Sequence, residues 1–211
     1  MNNLPESNQV NVSILARIFN DTTTSYKYLY FLSILDIIKR KQFNISSISF
    51  QEIIIEMLAN AWYPHNYFKL SFGTQDKIAD QLDALKLKIT EPILKFKDPD
   101  KEFLRETIKN QNINSIIKEI SRYVPYRFIH PFFEREIRGL KDGHVNHTII
   151  QLSRTNFHTA KPFYYFDTEE AKQCSQIILN SDWLQYFQDN YVVVRRLVFL
   201  GIFKIYATKK S

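Results

Sequence analysis

The sequence is poor in glycine and cysteine, and both shortages narrow the possible fold and compartment. Only four glycines occur among 211 residues, too few for an all-β protein with many tight turns, so we expect a helix-rich fold. The single cysteine, Cys174, excludes an internal disulfide and a metal site built from several thiolates. We therefore expect a reducing compartment and a cytoplasmic location.

Long apolar runs are also missing. The longest, residues 197–203, has seven members and is flanked by Arg195, Arg196 and Lys204, whereas a helix that spans a membrane needs about 20 apolar residues. The first ten residues are polar and lack the basic start and apolar stretch of a signal peptide. We therefore expect no membrane partner.

Catalytic motifs are absent as well. The sequence has no phosphate-binding loop, dinucleotide fingerprint, nucleophile elbow or helical pair of zinc-binding histidines, so no catalytic residue is predicted. The stretch DGHVNH offers Asp142, His144 and His147 as metal ligands at helical spacing. No further carboxylate or cysteine completes that set, so the preferred interpretation is a helix start with two partly exposed histidines.

What the sequence does contain is helical periodicity. Apolar residues recur at helical spacing in SYKYLYFLSILDIIKR. A second helix is predicted to begin at Ser49, which forms a capping-box pattern with Glu52, and to stop at Pro64. A third, near residues 78–85, follows a predicted turn at residues 73–74. Three helices with short connections indicate a helical bundle.

The second part of the chain mixes helices with short β-prone runs. Proline and polar residues at 92–99 mark a predicted boundary between an N-terminal helical domain, residues 1–95, and a second domain, residues 96–195. A helix in VNHTIIQLSRT precedes the β-prone runs KPFYYF and SQIIL, and Ser181 and Asp182 are expected to cap the last helix. We predict a mainly α fold: a helical bundle with a second, winged-helix-like part that contains a small β ribbon.

Positive charge is concentrated in the middle of the chain and in its tail. The net charge is +6; residues 115–165 carry eight basic and four acidic side chains, and residues 191–211 carry five basic and no acidic ones. In YRFIHPFFEREIR arginines alternate with aromatic residues, a pattern that suits nucleic-acid binding. The candidate contacts are Arg122, Arg127, Arg135, Arg138, Lys141 and Arg154. A protein-interaction or regulatory module that touches no nucleic acid remains the alternative, because a solvated helix beside buried aromatics gives the same pattern.

Five segments are distinctive in combination: ARIFNDTTTSYKYLYFLSILDIIKR, SFQEIIIEMLANAWYPHNYFKLSFGTQDKI, YVPYRFIHPFF, LSRTNFHTAKPFYYF and DWLQYFQDNYVVVR. Together they resemble the N-terminal region of a bacterial family of HNH endonuclease-like proteins. The resemblance implies a helical module that binds or positions DNA, followed by a nuclease portion whose His-Asn-His constellation uses a divalent metal to hydrolyse DNA. Those catalytic residues match no position here. We therefore expect this chain to be inactive alone and to hold no cofactor, the metal belonging to the missing catalytic portion.

The resemblance makes the tail, residues 196–211, atypical. After NYVVVR the family pattern continues with a tryptophan-rich helix. A codon choice exists for the tail in which deletion of one nucleotide near the Arg195 codon restores that helix, including two tryptophans. Since codon degeneracy permits many rewritings, this compatibility supports a hypothesis: the tail is read out of frame, and its positive charge carries no function.

Overall fold

Helices dominate the part of the chain that the computed structural model describes, residues 4–19, 25–66, 78–87 and 98–207. The first half forms α1 (Val12–Arg17), α2 (Tyr26–Arg40), α3 (Phe50–Asn66) and α4 (Ile78–Leu85). The second half forms α5 (Asp98–Lys109), α6 (Asn114–Ser121), α7 (Val124–Ile129), a 3₁₀ turn (His130–Phe132), α8 (Glu134–Ile137), α9 (Asp142–Thr155) and α10 (Ser181–Ala207). The predicted mainly α class is confirmed.

A small antiparallel sheet joins the two halves of the chain. Its strands are β1 (Ser47–Ser49), β2 (Tyr164–Phe166) and β3 (Gln176–Leu179), with β3 in the middle. β2 and β3 coincide with the two β-prone runs, so the predicted ribbon after a helix is confirmed. β1 was not predicted; it adds to the other edge of β3, with Ile48 opposite Ile177.

Helix α2 lies at the centre of the molecule. Its apolar side chains are buried on every side, since Leu29, Tyr30 and Ile34 are as inaccessible as Phe31 and Leu35 on the predicted face. A helix that is apolar all round must be surrounded by other elements. Here α3, α7 and α10 surround it, and its Phe31 ring meets the rings of Phe128 and Phe187 at centroid distances of 5.4 and 5.5 Å.

Both predicted domains contribute to one set of buried residues. α5 packs on α3, α10 packs on α2, and β1 pairs with β3 across the predicted boundary. The buried apolar side chains of the two halves form a single cluster. The boundary itself, at residues 92–99, lies almost wholly outside the described residues, as does the predicted turn at residues 73–74, so the division at residue 95 stays a prediction.

The predicted helix ends were correct in part. Oγ of Ser49 accepts a hydrogen bond from the N–H of Glu52 at 3.1 Å, so the cap of α3 is confirmed. The stop at Pro64 was wrong, because α3 continues to Asn66. Proline so close to a helix end removes a single N–H donor, and Nδ2 of Asn66 donates to the carbonyl of Trp62 at 3.0 Å. The side-chain cap at the start of α10 comes from Asn180, whose Oδ1 accepts from the N–H of Asp182 at 2.9 Å, and not from the predicted pair.

The tail continues α10 and packs against α2. The helix changes direction at Asn190, whose backbone φ of −120° is not helical, and then runs to Ala207. Val198 and Ile202 are buried. A Cβ built on Gly201 would lie 2.1 Å from Cε1 of Tyr28, so the two helices touch there through a residue that has no side chain. The hypothesis that the tail is read out of frame stays a prediction.

We predict that Gly201→Leu destabilises the fold by about 1–3 kcal/mol, because inserted atoms must displace the Tyr28 ring. That ring is 8% exposed and stacks on Phe19 at 4.5 Å, so it has little room to move. Urea unfolding measures the change. Gly143→Leu is the matched control, since a Cβ there meets nothing within 4 Å. Equal free energies of unfolding for the two variants would show that α10 does not pack on Tyr28.

Candidate nucleic-acid interface

Three of the six predicted contacts lie together between α8 and α9. Arg135 is in α8, Arg138 directly follows it, and Lys141 directly precedes α9. All three side chains are exposed, and within the described ranges none of them has a hydrogen-bond or ion-pair partner. We call these three residues the α8–α9 edge.

Local backbone geometry creates this edge. Ile137 is 4% exposed and anchors α8 to the core. Gly139 then has a φ of +81°, a conformation that glycine adopts without a steric penalty. Arg138 and Lys141 on either side are extended, with ψ of 126° and 143°. The chain therefore turns sharply between the short α8 and α9 and leaves its cations in solvent.

Arg122 and Arg127 lie against the first half of α9. The Arg127 guanidinium forms an ion pair with the carboxylate of Asp142, the first residue of α9. The carbonyl of Arg122 accepts a hydrogen bond from Nδ2 of Asn146 at 2.9 Å, and its guanidinium lies 5.0 Å from the centre of the Tyr123 ring. Arg122 is exposed, whereas Arg127 is partly neutralised by its partner.

Arg154 lies apart from the other five. It is in the last turn of α9, about 20 Å from Lys141 at a rise of ~1.5 Å per residue. Its guanidinium donates to the carbonyl oxygens of Phe166 at 2.7 Å and Asp167 at 3.1 Å, and it lies 5.1 Å from the centre of the Tyr165 ring. Arg154 therefore holds the end of β2 against α9. A contact between Arg154 and nucleic acid remains a prediction.

Charges of both signs lie close to the edge, including the exposed Glu134 and Glu136 of α8. Burial lowers the pKa of His130, and the positive charges of Arg127 and Lys27 lower it further. Of the two glutamates in α8, Glu134 is paired with Arg17 at 3.4 Å. The chemistry this arrangement suits is the binding of an anion that stays in solvent, because charge-assisted contacts to phosphate need exposed, unneutralised cations.

The stretch DGHVNH forms the first part of α9. Asp142 is engaged by Arg127, and His144 and His147 are exposed. Among the residues whose positions are described, no three His, Cys, Asp or Glu side chains lie close enough to hold a metal ion.

A second constellation, inside the molecule, was missed by the sequence interpretation. Nζ of Lys101 lies between two carboxylates, 2.7 Å from Oδ2 of Asp36 and 2.6 Å from Oε1 of Glu56. Arg195 donates to Asp36 through Nε at 2.9 Å. We call six residues the ionic cluster: Asp36 and Arg40 of α2, Glu56 of α3, Lys101 and Arg105 of α5, and Arg195 of α10.

Burial makes the ionic cluster unlike a surface network. Glu56 is fully buried and the side chain of Asp36 is 8% exposed. Burial alone would raise the pKa of Asp36, but the charges of Lys101 and Arg195 outweigh it, so the pKa is lowered and the carboxylate stays ionised. Both carboxylates are thus held in the interior by cations from other helices.

Among the described residues, the positive and negative charges in and around the ionic cluster balance one another. Arg40 donates to Glu56 at 2.7 Å and also pairs with Glu52, while Arg105 contacts Glu56 at 3.4 Å and pairs with Glu102. Counting Glu52 and Glu102, four carboxylates meet four cations. Its signal in the sequence is a lone acid inside each of two apolar runs, SILDII and IIIEML. The arrangement joins α2, α3, α5 and α10.

Comparison with known proteins gave no match: no family model, curated protein or solved structure matches the chain. Over the described ranges, none of the helices combines the length and the apolar character that crossing a bilayer requires. The HNH resemblance and the binding of DNA therefore stay predictions.

We predict that Lys101→Met destabilises the protein by about 3–5 kcal/mol, because it leaves two buried carboxylates without the cation between them. The matched control is Lys109→Met, in the last turn of α5. Nζ of Lys109 pairs with exposed Glu106 at 3.3 Å, and the loss of this surface pair should cost less than about 1 kcal/mol. Urea unfolding of both variants measures the difference. Destabilisation of similar size in the two variants would mean that the ionic cluster contributes nothing beyond an ordinary surface pair.

Proposed function

We propose that this chain binds double-stranded DNA through the α8–α9 edge, as the non-catalytic N-terminal module of an HNH endonuclease-like protein. The observation that carries the proposal is the contrast between two sets of cations. One set forms ion pairs with buried carboxylates: Lys101, Arg105 and Arg195. The other set is exposed and has no partner among the described residues: Arg135, Arg138 and Lys141. Unneutralised cations on a rigid support are what a phosphate backbone binds.

The size of the edge sets the expected strength of binding. Three unpaired cations, with Arg122 beside them, can neutralise a few phosphates, and each bound phosphate releases counterions. Binding should therefore be weak at physiological salt and strongly salt-dependent. A module of this kind positions DNA for chemistry carried out elsewhere, and we propose no catalytic residue and no metal ligand in this chain.

Under this proposal the chain alone does not hydrolyse DNA. The His-Asn-His constellation and its divalent metal would belong to a separate catalytic portion. We further propose that the protein acts in the cytoplasm, where both DNA and a reduced Cys174 are found.

A second candidate is a protein-interaction module, favoured by one observation on α10. Large apolar side chains are exposed along it: Val192 is 75%, Val193 42% and Leu200 47% accessible. Val192 and Val193 are adjacent, and Leu200 follows them by eight and seven residues, about two helical turns, so the three lie on one side of the helix. Apolar stripes of this kind mark protein contacts more often than nucleic-acid contacts.

We predict that the triple variant Arg135→Ala, Arg138→Ala, Lys141→Ala lowers affinity for a short mixed-sequence duplex at least about tenfold near 50 mM salt. The slope of log affinity against log salt should fall by up to about 0.9 for each phosphate that the variant no longer neutralises. Fluorescence anisotropy of a labelled duplex measures both quantities. Lys109→Ala is the matched control, since it removes an exposed cation from α5.

Two results would contradict the proposal. Lys109→Ala removes one charge and the triple variant removes three. If Lys109→Ala causes about a third of the loss in log affinity that the triple variant causes, attraction depends on net charge alone and the edge is not a site. If the unaltered chain does not bind near 50 mM salt, where electrostatic binding is strong, DNA binding is excluded and the protein-interaction candidate takes its place.

A further inference from the structure

The outward face of α9 differs in its charge from the outward faces of α5 and α6. After Asp142 it carries no carboxylate, and its exposed residues are Gly143, His144, His147, Gln151, Arg154 and Thr155. By contrast, α5 exposes Glu102 and Glu106, and α6 exposes Glu119. An ordinary solvated helix face mixes charges of both signs. A face without carboxylates is one that an anionic surface can approach closely.

Some polar side chains on α9 already make hydrogen bonds within the protein. Nδ2 of Asn146 donates to Arg122, and the hydroxyls of Thr148 and Thr155 donate to backbone carbonyls one turn earlier in the same helix. Arg154 is committed to β2. Within the described part of the chain, the side chains of His144, His147 and Gln151 make no hydrogen bond.

These three side chains share one side of the helix. Residues 144, 147 and 151 are separated by three and four positions, so they lie along one stripe. From first to last the stripe is about 10 Å long, at ~1.5 Å per residue. On the opposite side Val145 and Ile149 are buried, at 5% and 0% exposure. The stripe therefore faces solvent on a helix that is fixed to the core.

We propose that α9 enters the major groove of double-stranded DNA and reads base edges with His144, His147 and Gln151. This inference rests on the proposed function, because the α8–α9 edge would hold the phosphates beside the groove. The major groove is about 12 Å wide and admits a helix. A glutamine amide can bond adenine at N6 and N7 together, and an imidazole N–H can donate to N7 or O6 of guanine.

The charges near the two ends of α9 indicate how this helix would approach DNA. Cations lie at its beginning, in Lys141 and the rest of the edge. Beyond its end, Asp167 directly follows β2, and Glu169 and Glu170 are exposed in the loop that comes next. Phosphate is attracted at the first end, whereas at the second end these carboxylates oppose the single cation of the last turn, Arg154. α9 therefore enters the groove with its beginning nearest the bound phosphates, as in helix-turn-helix recognition.

The experiment selects preferred duplexes for the full chain from a pool with a randomised centre, and then measures anisotropy on the enriched duplex and on the unselected pool. For the triple variant His144→Ala, His147→Ala, Gln151→Ala, affinity for the enriched duplex should fall about tenfold or more. Affinity for the unselected pool should change by less than about twofold, since the phosphate contacts remain. Gln188→Ala, at an exposed position of α10, is the matched control and should change neither affinity.

Other outcomes would contradict base reading by α9 alone, or DNA binding as well. If the chain binds the pool but no sequence is enriched, or if the triple variant keeps the preference, base reading by α9 is wrong while DNA binding stands. If the chain binds no duplex near 50 mM salt, both this inference and the proposed function fall.

Discussion

The ammonium group of Lys101, held between the carboxylates of Asp36 and Glu56, is the interaction on which the arrangement of helices depends. It ties α5 to α2 and α3, and Arg195 ties α10 to the same Asp36. Removing ionised groups from water is costly, and only close partners in the right geometry offset that cost. Hydrophobic burial is not directional, whereas each ion pair joins two particular side chains. The ionic cluster selects one arrangement.

That arrangement determines which charges remain for a ligand. With the interior cations neutralised, the positive excess of the second half is left on the surface around α8 and α9. The fold places it on a firm support: α9 is packed against α7 and β2, and α8 is anchored through buried Ile137. A rigid support matters for binding because an ordered surface loses little conformational entropy when a ligand docks.

Local patterns in the sequence predicted the elements that depend on local interactions. The helical periodicity around Phe31, the cap at Ser49 and the two strands of the ribbon were all readable, because neighbouring residues decide them. The end of α3 was misjudged, since proline near a helix terminus removes only one hydrogen bond. β1 was not predicted: a three-residue run forms a strand only because the free edge of β3 lies beside it.

The candidate site was predictable in its composition but not in its arrangement. Sequence pointed to six cations, yet only the structure separates the three exposed at the α8–α9 edge from Arg154, which is bonded to the end of β2. The ionic cluster escaped sequence analysis for a related reason. An acid within an apolar run signals a buried partner, but Lys101 and Arg195 lie 65 and 159 positions from Asp36. No local pattern connects residues so far apart.

The most direct test of the central claim is amide hydrogen exchange of the full chain with and without a short DNA duplex at low salt. The account predicts that DNA slows exchange in residues 134–151, which contain the α8–α9 edge and the first part of α9, and leaves residues 191–200 of α10 unchanged. Slowing confined to residues 191–200, or no change anywhere, would contradict the assignment of the α8–α9 edge as the DNA-binding surface.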